Sequence, residues 1–200
     1  MIQFAQPWWV NLFILVPIVT YFLWYKKKLI IDKNVLIKTA IFGIAFAFVE
    51  AAVVIYLRAA VGLLPNYGGT LSDITSLSSN LYQQAQILNN LPRSLFFIEF
   101  IRELATMIML ISISILAVRN KKERWAIFIW MFAFWDIFYY LWLWITVKWP
   151  ISLLSSDVLF LIPTAWLSQV WFPILVSLLC IITVILCNKN HRTLKSMHTR

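Results

Sequence analysis

Long apolar runs separated by short basic stretches dominate this chain and limit what it can fold into. With 62% hydrophobic and 12% charged residues, the chain is not an ordinary soluble domain. A bilayer crossing takes about 20 mainly apolar residues, and lipid tolerates only backbone that is hydrogen-bonded within itself. The sequence therefore predicts an all-α, polytopic membrane helix bundle forming a single domain over residues 1–200. We expect five transmembrane helices, at Trp8–Tyr25, Thr39–Leu63, Ser94–Val118, Trp125–Val147 and Thr164–Cys187.

Basic residues follow the first, third and fifth of these runs, and they predict the orientation. Thirteen of the 17 Lys and Arg residues fall there: Lys26, Lys27, Lys28, Lys33, Lys38, Arg119, Lys121, Lys122, Arg124, Lys189, Arg192, Lys195 and Arg200. Loops rich in Lys and Arg stay in the cytoplasm. We therefore expect an integral protein of the cell (plasma) membrane, with its N-terminus outside and its C-terminus in the cytoplasm.

The net charge of +9 has the same origin. Basic cytoplasmic loops contact anionic lipid head groups, so the lipid bilayer is the expected partner and nucleic acid is not. A membrane-protein partner or a second copy of the chain remains open. Both histidines, His191 and His198, lie in the basic tail, so we expect no cofactor and no metal site within the spans.

Two outer segments are irregular. In the loop 64–93, apolar residues recur at spacings of three and four between Leu71 and Leu91, which predicts an outer amphipathic helix on the membrane surface or over the bundle. The stretch Pro150–Pro163 is too short to cross and predicts a re-entrant or interfacial segment. Within it, Asp157 after two serines is typical of a helix start; membership of an acidic site is the alternative.

Five ionisable residues lie inside the apolar runs: Glu50, Glu99, Arg102, Glu103 and Asp136. A charge near a bilayer centre costs about 2.5–3.5 kcal/mol on insertion scales, so these side chains should face the bundle interior. Residue counts place Glu50 and Asp136 near the midplane and the other three in the outer half.

Helical spacing predicts partners for these groups. Arg102 lies three residues after Glu99, and we expect it to contact a carboxylate of another helix as well, Glu50 or Asp136. Arg58 shares a helix face with Glu50 near the outer boundary. Tyr139 and Tyr140 lie three and four residues after Asp136, where their hydroxyl groups can reach its carboxylate.

Burial and like-charge repulsion favour the protonated form of a carboxyl group, so deep acids suit proton exchange. We expect Glu50 and Asp136 to be the working acids, with Glu99, Arg102 and Glu103 tuning them from the outer side. The alternative is a purely structural network that sets helix register.

These residues favour a small membrane protein with a buried, outward-facing acidic cavity that binds or translocates a proton, a cation or a small amphiphile. A scaffold or regulatory subunit of a larger membrane complex is the first alternative, and a small lipid-acting membrane enzyme is the second. The di-iron pattern is absent because no histidine accompanies the glutamates. No catalytic residue is predicted, and whether the chain is an enzyme is left open.

Overall fold

A computed structural model of the chain describes residues 2–25, 29–60 and 93–188, without the side chains of 57–60 and 93–95. The described part is mostly helical. A 3-10 helix, Trp8–Ile14, runs directly into α1 (Leu15–Trp24). The remaining elements, in chain order, are α2 (Lys33–Ala60), α3 (Arg93–Ala117), α4 (Lys121–Val147), β1 (Ser156–Phe160), β2 (Trp166–Gln169) and α5 (Trp171–Cys187).

Three of the helices are long and apolar enough to cross a membrane: Lys33–Tyr56 within α2, Phe96–Ala117 within α3, and the whole of α4. This supports the predicted helical membrane protein, but not the predicted number of five spans. The first and fifth predicted spans correspond to shorter apolar helices, Trp8–Trp24 and Trp171–Cys187.

The predicted all-α class is wrong in one detail, because β1 and β2 form an antiparallel two-stranded sheet. Asp157 therefore lies in a strand, opposite Ser168, and does not begin a helix. The predicted start of the fifth span at Thr164 is also wrong, since the helix begins at Trp171. Residues 166–169 form the strand that pairs with β1. Strand pairing depends on a segment elsewhere in the chain, so the local patterns that predict helices do not reveal it.

The helices α2 and α4 run parallel and pack closely. The indole Nε1 of Trp130 donates to the carbonyl oxygen of Leu36 at 2.9 Å, and that of Trp142 donates to Ile44 at 3.1 Å. Gly43 lies at this interface, where an added Cβ would be 2.9 Å from the carbonyl oxygen of Met131. The missing side chain therefore lets the two backbones approach.

Helices α1 and α5 are also parallel to each other. At one end, Gln6 and Leu167 exchange two backbone hydrogen bonds of 2.8 and 2.7 Å. At the other end, the amide of Leu29 donates to the carbonyl oxygen of Cys187 at 2.9 Å. Trp125, near the start of α4, donates to Thr20 at 3.2 Å, which places the end of α1 beside the beginning of α4.

The bundle therefore has two distinct ends. The starts of α2 and α4 and the ends of α1 and α5 lie at one end, which we call the basic side. The β-hairpin, 156–169, lies at the other end, the hairpin side. The predicted amphipathic helix Leu71–Leu91 lies outside the described residues.

We predict that Gly43→Ala destabilises the bundle. The new methyl group would meet backbone rather than a mobile side chain, and such overpacking costs about 1–3 kcal/mol. The better helix propensity of alanine offsets at most about 1 kcal/mol. The measurement is thermal unfolding in detergent. Val49→Ile, which adds one carbon at an exposed position of the same helix, is the control and should unfold like the wild type.

Candidate functional site

Arg102 on α3 joins two acidic residues. Its Nε lies 2.9 Å from each carboxylate oxygen of Glu99, one turn earlier on the same helix, and its NH2 also contacts Glu99. Its NH1 contacts Oε2 of Glu50 on α2. The prediction that Arg102 pairs with Glu99 and with an acid of another helix is thus confirmed.

Thr106 completes this group, which we call the arginine cluster: Glu50, Glu99, Arg102 and Thr106. The Thr106 hydroxyl group donates to Oε1 of Glu50, so each carboxylate oxygen of Glu50 has a partner on α3. Thr106 and Glu50 are both buried. Between the described residues of α2 and α3 there are few other contacts, so these polar contacts are the main link seen there.

Glu103, one residue after Arg102, faces the hairpin. Its Oε2 accepts a hydrogen bond of 2.7 Å from the backbone amide of Leu161, which follows strand β1 directly. Both residues are buried. A carboxylate that accepts from an amide forms a charge-assisted bond, which is stronger than one between neutral groups.

Asp136 lies deep in α4 and contacts α5. Its Oδ2 accepts a hydrogen bond of 2.8 Å from the hydroxyl group of Ser177. Among the described residues it makes no ion pair with Lys or Arg. A neutral hydroxyl group therefore replaces the cation that a buried carboxylate usually has for a partner.

Tyr140 does not donate to Asp136 as predicted. Its hydroxyl group donates to Oδ2 of Asp157 on the hairpin at 3.0 Å. The i+4 spacing brings the ring near Asp136, but the better acceptor comes from a distant segment that helical spacing cannot reveal. Asp136 and Asp157 are close enough for their charges to interact. We call Asp136, Tyr140, Asp157 and Ser177 the aspartate cluster.

Tyr139 and Arg58 complete the predicted set. Tyr139 is stacked against Trp135, with ring centroids 6.5 Å apart, and packs edge-on against Tyr140 at 5.1 Å. It also lies within electrostatic range of Arg102, on the side of α4 that faces α3. The side chain of Arg58 lies outside the described residues.

The described interior contains more acid than base. Five carboxyl groups, those of Glu50, Glu99, Glu103, Asp136 and Asp157, are buried. The guanidinium of Arg102 contacts two of them, Glu50 and Glu99. The donors to Glu103 and Asp136 are neutral. A buried carboxyl group such as that of Asp136, which makes no ion pair among the described residues, can take up a proton.

Three members of the site were not predicted, and one was predicted only as an alternative. Thr106 and Ser177 are polar residues within apolar runs, and the backbone amide of Leu161 has no sequence signal. Asp157 was expected to begin a helix, yet it is one of the most buried acids in the described part of the chain.

Comparison of the chain with protein-family models, with curated proteins and with solved structures finds no match. The function must therefore be argued from the geometry of the two clusters.

We predict that Arg102→Ala destabilises the protein by about 3–5 kcal/mol, because Glu50 and Glu99 would be left buried without their cation. The measurement is unfolding in detergent. Arg119→Ala removes an arginine from an exposed turn and should change stability by less than about 0.5 kcal/mol. A triple variant with Glu50→Gln, Glu99→Gln and Arg102→Gln should recover part of the loss. If Arg102→Ala unfolds like the wild type, the contacts of Arg102 do not hold α2 and α3 together.

Proposed function

We propose that this chain is an integral membrane protein that binds and exchanges protons at its buried acids, through an acidic site that opens toward the hairpin side. The observation that carries the proposal is that the described interior holds five buried carboxyl groups, of which the guanidinium of Arg102 contacts two. Intramembrane acids of this kind are typical of proton relays in pumps and transporters.

Protons fit the site better than metal cations do. In the described residues, no group of three His, Cys, Asp or Glu side chains is arranged to hold a metal ion. Asp136 and Glu103 each accept from one neutral donor, Ser177 and the amide of Leu161. One proton neutralises such a carboxyl group without a shell of ligands. Coupling of the proton to another cation or a small amphiphile belongs to the same proposal.

The contacts favour Glu50 and Asp136 as the working acids. Glu50 touches Arg102 and Thr106 on another helix, so a change in its charge would alter the link between α2 and α3. In the described part of the chain, the hydrogen-bond partner of Asp136 is the neutral Ser177, and a second acid, Asp157, lies near it. The two residues lie in different clusters, which gives a proton two positions in the bundle.

A scaffold role is the second candidate, favoured by the position of α3. This helix is the most exposed of the three long apolar helices, and the arginine cluster is its main polar link to α2. A partner helix could pack on its exposed face, with the arginine cluster holding α3 in place.

We further propose that the two shorter helices also cross the membrane, giving five spans. The seven residues of the 3-10 helix and the ten of α1 extend about 29 Å, at about 2.0 and 1.5 Å per residue. That is close to the thickness of a bilayer core, about 30 Å. The parallel course of α1 and α5 also fits, because three spans between two helices leave them parallel.

Basic residues at the starts of α2 and α4 favour the cytoplasm for that side, with the N-terminus outside and the plasma membrane as the location. We predict that Ile151→Cys is labelled by an impermeant maleimide on intact cells and that Lys121→Cys is labelled only after permeabilisation. Both positions are exposed, and Cys180 and Cys187 are replaced by alanine in this experiment. Labelling of both sites from the same side would contradict this topology.

The proton proposal predicts that Glu50→Gln and Asp136→Asn each abolish potential-driven proton flux in reconstituted vesicles, because an amide at either position cannot take up the proton. A pH-sensitive dye inside the vesicles measures the flux. Glu123→Gln, which replaces an acid in the first turn of α4, is the matched control and should leave flux unchanged.

Thermal unfolding of the same preparations shows whether the variants are folded. If both folded variants carry protons like the wild type, or if the wild type carries none, the proposal is wrong. Copurification of a membrane protein that is lost on Arg102→Ala would then favour the scaffold role.

A further inference from the structure

The β-hairpin lies against the acidic residues of the bundle rather than out in solvent. Asp157, Leu161 and Ser168 are almost fully buried, while Pro163 and Thr164 at its tip are exposed. The hairpin therefore covers the hairpin-side end of the site, with its tip turned outward.

Two hydrogen bonds join the first-strand side of the hairpin to different helices. The Glu103 carboxylate on α3 accepts from the Leu161 amide at 2.7 Å. The Tyr140 hydroxyl group on α4 donates to Asp157 at 3.0 Å. Both partners on the helix side are side chains, so each contact can break without unwinding a helix.

The hairpin has little stability of its own. It has two short strands, and its pairing is irregular between Val158 and Phe160. An isolated two-stranded hairpin is marginally stable at best in water. Its position therefore depends on its attachments to the rest of the protein. Glu103 and Tyr140 bind the side of the first strand. The second strand is held by the backbone pair of Gln6 with Leu167, by the amide of Gln3, which donates to Gln169 at 2.9 Å, and by ring contacts of Trp166 with Trp9 and Phe13.

We propose that the hairpin 156–169 is a gate over the acidic site, and that Glu103 and Tyr140 are the residues that latch it. This inference rests on the proposed function, since it describes how the same site is opened. When both latches break, the first strand lifts from the helices while the contacts of Gln6, Gln3 and Trp166 still hold the second strand. Asp136 and Glu103 then become accessible from the hairpin side.

The chain contains a native reporter for this motion. Cys180 on α5 is buried, lies one turn beyond Ser177 and is within electrostatic range of Asp136. Cys187 is also buried, but it lies at the basic side, where its carbonyl oxygen accepts from Leu29. Opening of the hairpin should expose Cys180 alone, whereas general loosening should expose both thiols.

The test is the rate at which a small cationic methanethiosulfonate reagent modifies each thiol in lipid nanodiscs, measured by peptide mass spectrometry. We expect Glu103→Met and Tyr140→Phe each to speed modification of Cys180 about tenfold, since each removes one hydrogen bond to a charged group. The double variant should be faster than either single variant. Modification of Cys187 should not change.

Two matched variants serve as controls. Glu103→Gln keeps an oxygen that can accept from the Leu161 amide. The rate of Cys180 modification in this variant should therefore lie between the rates in the wild type and in Glu103→Met. Tyr56→Phe removes a hydroxyl group from an exposed tyrosine of α2, and Cys180 in this variant should be modified at the wild-type rate.

Two results would overturn the gate. The first is slow modification of Cys180 in the double variant, which would make the hairpin a fixed cover. The second is equal acceleration at Cys180 and Cys187, which would mean that the bundle loosens as a whole. Neither result depends on proton flux, so failure of the gate is distinguishable from failure of the proposed function.

Discussion

The arrangement of this bundle depends on the fact that lipid cannot solvate a charge. Arg102 lies on a largely apolar and widely exposed helix, and its guanidinium must find its partners inside the protein. Glu99 on the same helix pairs with one side of the guanidinium, and Glu50 on α2 pairs with NH1. The position of α3 against α2 follows from that requirement, because few other contacts join the described residues of the two helices.

A second constraint acts at the other acids. Glu103, Asp136 and Asp157 accept hydrogen bonds from an amide, a serine hydroxyl group and a tyrosine hydroxyl group. A neutral donor stabilises a buried carboxylate less than a paired cation does, so Asp136, which makes no ion pair among the described residues, remains able to change its protonation state. The bonds to Glu103 and Asp157 also hold the hairpin against the helices, which connects the charge of the site with its cover.

Close packing of α2 against α4 provides the rigid part of the structure. Gly43 permits the approach of the two backbones, and the indole groups of Trp130 and Trp142 reach across to carbonyl oxygens of α2. In a membrane, small residues at helix interfaces and hydrogen bonds between helices contribute much of the association. Helix α3 and the hairpin bring the other buried acids, Glu99, Glu103 and Asp157, beside this pair.

The sequence by itself determined the helical membrane character, the approximate bounds of most helices and the pairing of Arg102 with Glu99 and an acid of another helix. These properties follow from local apolarity, from helical spacing and from the cost of an unpaired charge in lipid. Only the tertiary structure decided that Tyr140 donates to Asp157, that Ser177 donates to Asp136 and that residues 156–169 form a hairpin. Those contacts join segments up to 41 residues apart, and their partners are chosen by the folded arrangement of the chain rather than by any local pattern.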